Sequence, residues 1–202
     1  MEGLDPGTIA ALAVFGLVAG IGITALGPGG VLVTVGLFLL TDLSPEAVAG
    51  TAIVTHIATG VVGTLAYGRS GHLGDRDTRR AAVILAAVAV LGTPLGVLVN
   101  GAVSGSTFAV LLGIVTAATG VLVWVRERRV RAVDERPLPP VLHPSVVAAV
   151  GLGVATAAGM FGLGGPMLAV PLLVAFGVPV LAALAAAQVQ SVVIATVGTV
   201  GY

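Results

Sequence analysis

The chain has 202 residues, 57% of them hydrophobic and only 9% charged, with a mean hydropathy of +1.13. An ordinary soluble domain carries about 25% charged residues, so a water-soluble surface is excluded and the bilayer is the solvent left. The formal net charge of zero argues against a nucleic-acid partner, and the absence of cysteine excludes disulfides, thiolate metal sites and dithiol redox motifs.

The leader before the first apolar run carries Glu2 and Asp5 and neither Arg nor Lys. A cleaved secretory signal has a positive leader, so this run reads as a mature helix. Uncharged spans then follow at residues 8–26, 30–41, 47–67, 81–100, 103–125, 145–161, 166–176 and 180–202. Crossing the hydrocarbon takes about 20 helical residues, with a range of roughly 17–25. Residues 30–41 and 166–176 fall short, because a dozen residues at about 1.5 Å each reach about 18 Å against a core of about 30 Å. They are predicted as short or broken elements. Between residues 41 and 47, Ser44 suits an N-cap and Pro45 the first turn of the next helix.

All nine basic residues are arginines, in two clusters: Arg69, Arg76, Arg79 and Arg80, then Arg126, Arg128, Arg129, Arg131 and Arg136. An Arg at mid-bilayer costs about 2.5–3.5 kcal/mol, so each cluster is predicted as a loop. The positive-inside rule puts both loops in the cytoplasm, the acidic turn at residues 42–46 outside, and residues 81–100 and 103–125 going out and back. Trp124, beside the second cluster, sits where an interfacial aromatic belongs. Asn100 is predicted to cap a helix end.

Shifted by 135 residues, the sequence matches itself. Gly27-Pro28-Gly29-Gly30 falls on Gly162-Leu163-Gly164-Gly165, Val35 and Leu37 on Val170 and Leu172, and Gly63-Thr64-Leu65-Ala66-Tyr67 on Gly198-Thr199-Val200-Gly201-Tyr202. The two short apolar elements share the same offset. The expected fold is an all-α polytopic transmembrane helix bundle with two internal repeats, the second incomplete. Residues 1–131 form the first repeat, a broken helix plus three spans. Residues 132–144, with Pro137, Pro139, Pro140 and Pro144, form an extended cytoplasmic linker, and residues 145–202 form the truncated second repeat. By the offset, a complete second copy extends to about residue 266, with two more helices. If residues 30–41 fold back on 8–26, the N-terminus is outside and the repeats are inverted; if residues 8–41 are one broken helix, the repeats are parallel.

Paired Gly/Pro-interrupted segments point to a transporter's substrate site. A helix that begins inside the membrane leaves free N–H groups and a partial positive charge at its N-terminus, which suits an anion. Gly27, Gly29 and Gly30 and their counterparts Gly162, Gly164 and Gly165 are therefore candidate substrate contacts; the alternative is that they only let helices pack closely. The span 47–67 carries Thr51, Thr55 and Thr59 at helical spacing, plus His56, and by the offset Gln190 falls opposite Thr55 and Ser191 opposite His56, with Gln188 nearby. These side chains could donate hydrogen bonds to oxyanion oxygens or tie helices together, and the threonines can satisfy themselves on their own backbone. His56 is the one ionisable residue inside a span and hence the candidate for proton coupling.

The run Gly162-Leu163-Gly164-Gly165-Pro166-Met167-Leu168-Ala169-Val170-Pro171-Leu172-Leu173, with Ala49-Gly50-Thr51-Ala52 and Tyr67-Gly68-Arg69-Ser70-Gly71-His72-Leu73-Gly74-Asp75 in the first copy, resembles the TauE/SafE sulfite exporter family, also called the toluene-sulfonate-uptake permeases. The resemblance covers nearly the whole chain. It implies two repeats with about eight membrane segments, and export or uptake of sulfite, sulfonates and related anions. The chain departs from its own repeat at Pro28 within the first glycine run, at Gly36 against Pro171, and at Gly50-Thr51-Ala52-Ile53 against Ala185-Ala186-Ala187-Gln188.

Other classes fit less well. Gly68-Arg69-Ser70-Gly71 matches the GxSG of rhomboid proteases, with His72 adjacent, but this Ser lies among arginines at a helix end, and a nucleophile and base must meet in a water-excluded site. No span contains paired carboxylates for metal hydrolysis. No charged ring marks a channel filter. The expected function is a secondary transporter of a small, sulfur-containing oxyanion, with the lipid bilayer as its other partner and neither cofactor nor metal; the alternative is a channel or a structural membrane component.

Overall fold

The structure, a computed structural model, describes residues 5–25, 28–131 and 142–202. Gly27, Arg136 and the linker prolines Pro137, Pro139 and Pro140 lie outside the described residues. Every regular element among the described residues is helical: α1 (Pro6–Ala25), α2 (Val31–Leu40), α3 (Pro45–Arg69), α4 (Arg76–Ala102), α5 (Gly105–Arg131), α6 (Pro144–Phe161), α7 (Gly165–Ala175) and α8 (Val180–Gly201), with single 3₁₀ turns at Pro28–Gly30 and His72–Gly74. Six of these, α1, α3, α4, α5, α6 and α8, are long and apolar enough to cross a membrane. The chain is thus a multi-pass membrane protein, and the two short helices α2 and α7 fall where the uncharged runs were too short to cross.

Helix boundaries follow local chemistry. Ser44 Oγ accepts from Ala47 N–H at 3.3 Å and Pro45 opens α3. The Asp75 carboxylate accepts from Thr78 N–H at 2.8 Å and from the Thr78 hydroxyl at 2.9 Å, starting α4. Gly162, at φ +68°, ends α6 in the left-handed conformation that favours glycine.

The arginine clusters are not loops in the way the charges suggested. Arg69 is the last residue of α3, Arg76, Arg79 and Arg80 lie in the opening turns of α4, and α5 continues through Arg131. A helix that leaves the hydrocarbon keeps its own backbone hydrogen bonds. Arg is a good helix former, and at a C-terminus it complements the dipole. Asn100 does cap a helix end, that of α6 and not of its own helix. Its side chain is buried in the last turn of α4 and donates to the Met160 carbonyl at the end of α6, with a longer bond to Pro45 O at 3.4 Å.

Because α3 runs from the acidic turn to Arg69, the two charge patches mark opposite ends of the bundle. The core is built on α3, α4, α6 and α8. Helices α4 and α6 run parallel along a seam of small residues. A Cβ added at Gly92 would meet Ala155, one at Gly96 the backbone of Thr156, Met160 and Gly159, and one at Gly159 the backbone of Thr93. Gly92 and Gly96 are four apart, as are Gly151, Ala155 and Gly159, so each set forms one helix face and the backbones approach closely. Helices α1 and α5 are peripheral, with Val14, Leu17 and Ile21, and Val110, Ile114 and Val121, exposed for lipid.

Helix α2 folds back on α1: a Cβ at Gly22 would touch Gly29, and one at Gly36 would touch the Phe15 ring. This is the hairpin of the two alternatives, and it places Pro6 at the acidic end. Helices α6 and α7 also turn back on each other, but from the arginine end, since Leu142 and Val147 line one cavity together with Phe176, Pro179, Asp75 and Arg80.

Candidate functional site

Helices α3 and α8 lie antiparallel through the centre. Cβ atoms built at Gly50, Gly60 and Gly63 of α3 would meet Tyr202, Val192 and Gln188 in turn. His56 lies eleven residues past Pro45 and thirteen before Arg69, so it sits about 17 Å from one end of α3 and about 20 Å from the other. Gln190 and Ser191 are likewise near the middle of α8.

The two hairpin turns meet at this depth. A Cβ at Gly30 would fall 2.7 Å from His56 Cε1 and 3.6 Å from Gly164 N, and one at Gly164 would fall 2.8 Å from His56 Nδ1. A Cβ at Gly165 would lie 3.0 Å from Ala187 O, 3.2 Å from Ser191 N and 3.5 Å from Gln190 Oε1. The imidazole is thus wedged between the start of α2 and the start of α7, and the amide of Gln190 lies beyond. Both helices point their positive N-terminal ends here, although α2 continues directly from the turn at Pro28–Gly30, and in α7 Pro166 has no N–H and Met167 N–H bonds to Gly164 O at 3.4 Å.

The other predicted glycines divide by role. Gly29 packs on Gly22, Ile23 and Ala19, holding the first hairpin shut, and Gly162 presses on Ala49 of α3. For these two the close-packing alternative describes their surroundings.

His56, Gln188, Gln190 and Ser191 are all buried. Gln190 Nε2 donates to the Gly151 carbonyl of α6 at 3.0 Å, while its Oε1, the Gln188 Oε1 and both His56 ring nitrogens have no protein hydrogen-bond partner. The Gly162 backbone stands against the His56 ring outside ordinary hydrogen-bond geometry. An unmade hydrogen bond on a buried polar atom costs about 1–3 kcal/mol, so the His56 ring nitrogens and Gln190 Oε1 beside two helix starts mark a place suited to a polar ligand, while Gln188 Oε1 lies against Gly63, farther toward the arginine end. The threonines stand apart. Thr51 and Thr55 are exposed, and Thr55 and Thr59 donate to carbonyls of their own helix. With α1 and α2 they line a groove of ≈ 290 Å³, and Thr51 and Thr55 also face an open cleft of ≈ 700 Å³ at the acidic end, beside Glu46 and Tyr202.

A cavity of ≈ 420 Å³ opens at the arginine end and reaches Leu173, Val147, Ala182 and Ala186. Gln190 and Gly151, joined by their hydrogen bond, lie one turn beyond Ala186 and Val147 of the cavity's lining on α8 and α6.

Three polar residues that sequence reasoning missed or misplaced act together. Thr34 Oγ1 donates to Phe161 O at 3.1 Å, Asn100 to Met160 O, and the Tyr202 hydroxyl to Gly159 O at 2.6 Å. The last free carbonyls of α6 are thus satisfied from α2, α4 and the end of α8, which fixes where the α6–α7 turn begins. The available signal was a polar residue set in an apolar run, clearest for Thr34 within residues 30–41. At the arginine end Ser70 Oγ and His72 Nδ1 do meet, at 2.9 Å, but both are on the surface of the short connection and not in a water-excluded site.

The sequence profile of the family described as "Sulfite exporter TauE/SafE" matches residues 12–202. A curated relative, "Probable membrane transporter protein" of Xylella fastidiosa (strain 9a5c), is 29% identical over 161 residues, 79% of this chain and 60% of that protein, so the chain spans about 60% of its relative's length. No solved structure gave a significant match. With the match running through both hairpins and all six long helices, the chain belongs to the TauE/SafE sulfite exporter family.

Proposed function

We propose that the protein is a secondary carrier for a small oxyanion, sulfur-containing as the family's description suggests, held between the N-terminal ends of α2 and α7. The observation that carries this reading is the meeting of Gly30 and Gly164 around His56 at mid-depth, with Gln190 beyond. Among the described residues no span brings a carboxylate here to repel an anion or an Arg to trap one. Helix ends and neutral donors contribute about 0.3–2 kcal/mol each, weak enough to release the ligand. Gly30, Gly164 and Gly165 would let backbone approach it; His56, Gln188, Gln190 and Ser191 would supply side-chain contacts. Residues 1–131 and 145–202, joined by 132–144, would act as inverted halves rocking about this centre, and the cavity at the arginine end would be the inward-facing vestibule.

The test is counterflow of sulfite, sulfate and simple sulfonates in proteoliposomes. Saturable exchange is expected, with Gln190→Leu and His56→Leu lowering flux and Gly164→Val abolishing it. Unsaturated conductance would make the protein a channel. Transport of a cation with no response to any of these anions would overturn the anion reading.

A further inference from the structure

We propose that His56 takes up one proton with each anion bound, so that the site holds a proton–anion pair and the anion moves together with a proton. This rests on the anion reading above and adds the coupling ion to it.

His56 is fully buried, and neither nitrogen has a hydrogen-bond partner in the protein. A neutral imidazole offers one N–H donor and one acceptor nitrogen. Its surroundings are the backbone at Gly30, Gly162 and Gly164, two of them at the starts of α2 and α7. A helix start presents N–H groups and partial positive charge, which does not favour a second positive charge on the ring. An oxyanion placed here changes that balance. It accepts from the helix N–H groups and from the ring, and with a proton on the ring both nitrogens become donors to it.

The two charges then neutralise each other inside the hydrocarbon, where each alone would be costly. Coupling is reciprocal: the anion makes protonation favourable, and the proton tightens the anion to the same degree. On release to either side, the proton leaves the ring nitrogen for water as the anion departs.

No other group nearby can take this role. The turn before α2 presents Gly30, the α6–α7 turn presents Gly162 and Gly164, and facing α8 carries Gln188, Gln190 and Ser191, none of which titrates. The nearest titratable group toward the acidic end of α3 is Glu46, about 15 Å away along the helix, and Tyr202 lies at that same end of α8. His72 and His143 are at helix ends outside the core.

The probe is methanesulfonate, whose own charge is constant across the working range, with the full chain in proteoliposomes that enclose a pH-sensitive dye. Uptake by the wild type should acidify the lumen by one proton per sulfonate, and an inward proton gradient should drive accumulation. Apparent affinity should fall about tenfold per pH unit once the ring titrates, the slope of one linked proton. His56→Gln should bind more weakly, with an affinity that no longer varies with pH and no proton movement; His72→Gln and His143→Gln should behave as wild type. Saturable wild-type uptake with no proton movement would overturn the coupling and leave the anion reading standing. No uptake of methanesulfonate, sulfite or sulfate by the wild type at any pH would overturn the anion reading beneath it; if only sulfite is taken up, the same proton count is read with sulfite. If His56→Gln does not fold, the wild-type proton-to-sulfonate ratio still decides between coupling and none.

Discussion

At the residue scale, glycines that look alike in the sequence have different neighbours. Gly29 and Gly164 both sit in glycine-rich breaks at the same offset. A Cβ at Gly29 would lie 2.5 Å from the backbone of Gly22 and Ile23, so Gly29→Ala must open the first hairpin and should cost about 1–3 kcal/mol, read as a drop in thermal unfolding temperature in detergent. Gly164→Ala meets instead the His56 ring at 2.8 Å, and should lower anion flux more than it lowers stability. The sequence marks both as close approaches; only the partner, helix backbone or imidazole, separates packing from site, and a partner far along the chain leaves no local trace. Asp75 shows a role that was locally legible, an acid three residues before Thr78 at a helix start. The Thr78 backbone N–H and hydroxyl hold its carboxyl below the ordinary value of 3.8. A folded value below the unfolded one means the stabilisation is present above the unfolded value and is lost as pH falls through the folded one. Thermal stability in detergent should therefore fall in acid below about pH 4 in the wild type, with a shallower dependence in Asp75→Asn.

At the scale of elements, hydropathy and caps predicted the long spans, the Ser44–Pro45 start of α3 and the two short helices, because each depends on neighbours within a turn. The misreadings came from non-local chemistry. Asn100 was expected to cap a helix end and does, but the end is that of α6, which nothing in the sequence tells, since the Met160 carbonyl it serves lies 60 residues on. The arginines looked like loop residues, because charge reports depth in the membrane and not whether the helix continues beyond it. The end of α6 is where these long-range contacts gather, with Thr34, Asn100 and Tyr202 on successive carbonyls. Interhelical hydrogen bonds in membranes are worth about 0.6 kcal/mol on average and about 1.7 at most. Thr34→Val, Asn100→Leu and Tyr202→Phe should each cost an amount in that range in a denaturant titration of the detergent-solubilised protein. Because the three side chains share one helix end, the triple variant should depart from the sum of the singles. Strict additivity would mean that the three contacts do not act as one cap.

At the scale of the whole molecule, the path of the chain decides what the site can do. The sequence left inverted and parallel halves open, because no charged residue after His143 lets the positive-inside rule orient the second half. The packing shows the path of each hairpin: α2 returns along α1 to the acidic end, α7 returns along α6 to the arginine end, and the two helix starts face each other at His56. Under the proposed transport, two hairpins entering from opposite sides would let each half open the centre toward its own side, whereas a parallel pair would present both helix starts to the same side. The chain has no cysteine, so single cysteines report sidedness cleanly. Gly7→Cys and Glu46→Cys should react with a membrane-impermeant maleimide from one face of the membrane, and Gly74→Cys only from the other. Ala182→Cys, which lines the cavity at the arginine end, should react from the Gly74 side. Under the proposed transport, its labelling should slow with saturating anion as binding closes the cavity at the arginine end. Gly7→Cys reacting from the same face as Gly74→Cys would place the start of α1 at the arginine end, undo the first hairpin, and remove the opposed helix ends on which the transport reading stands.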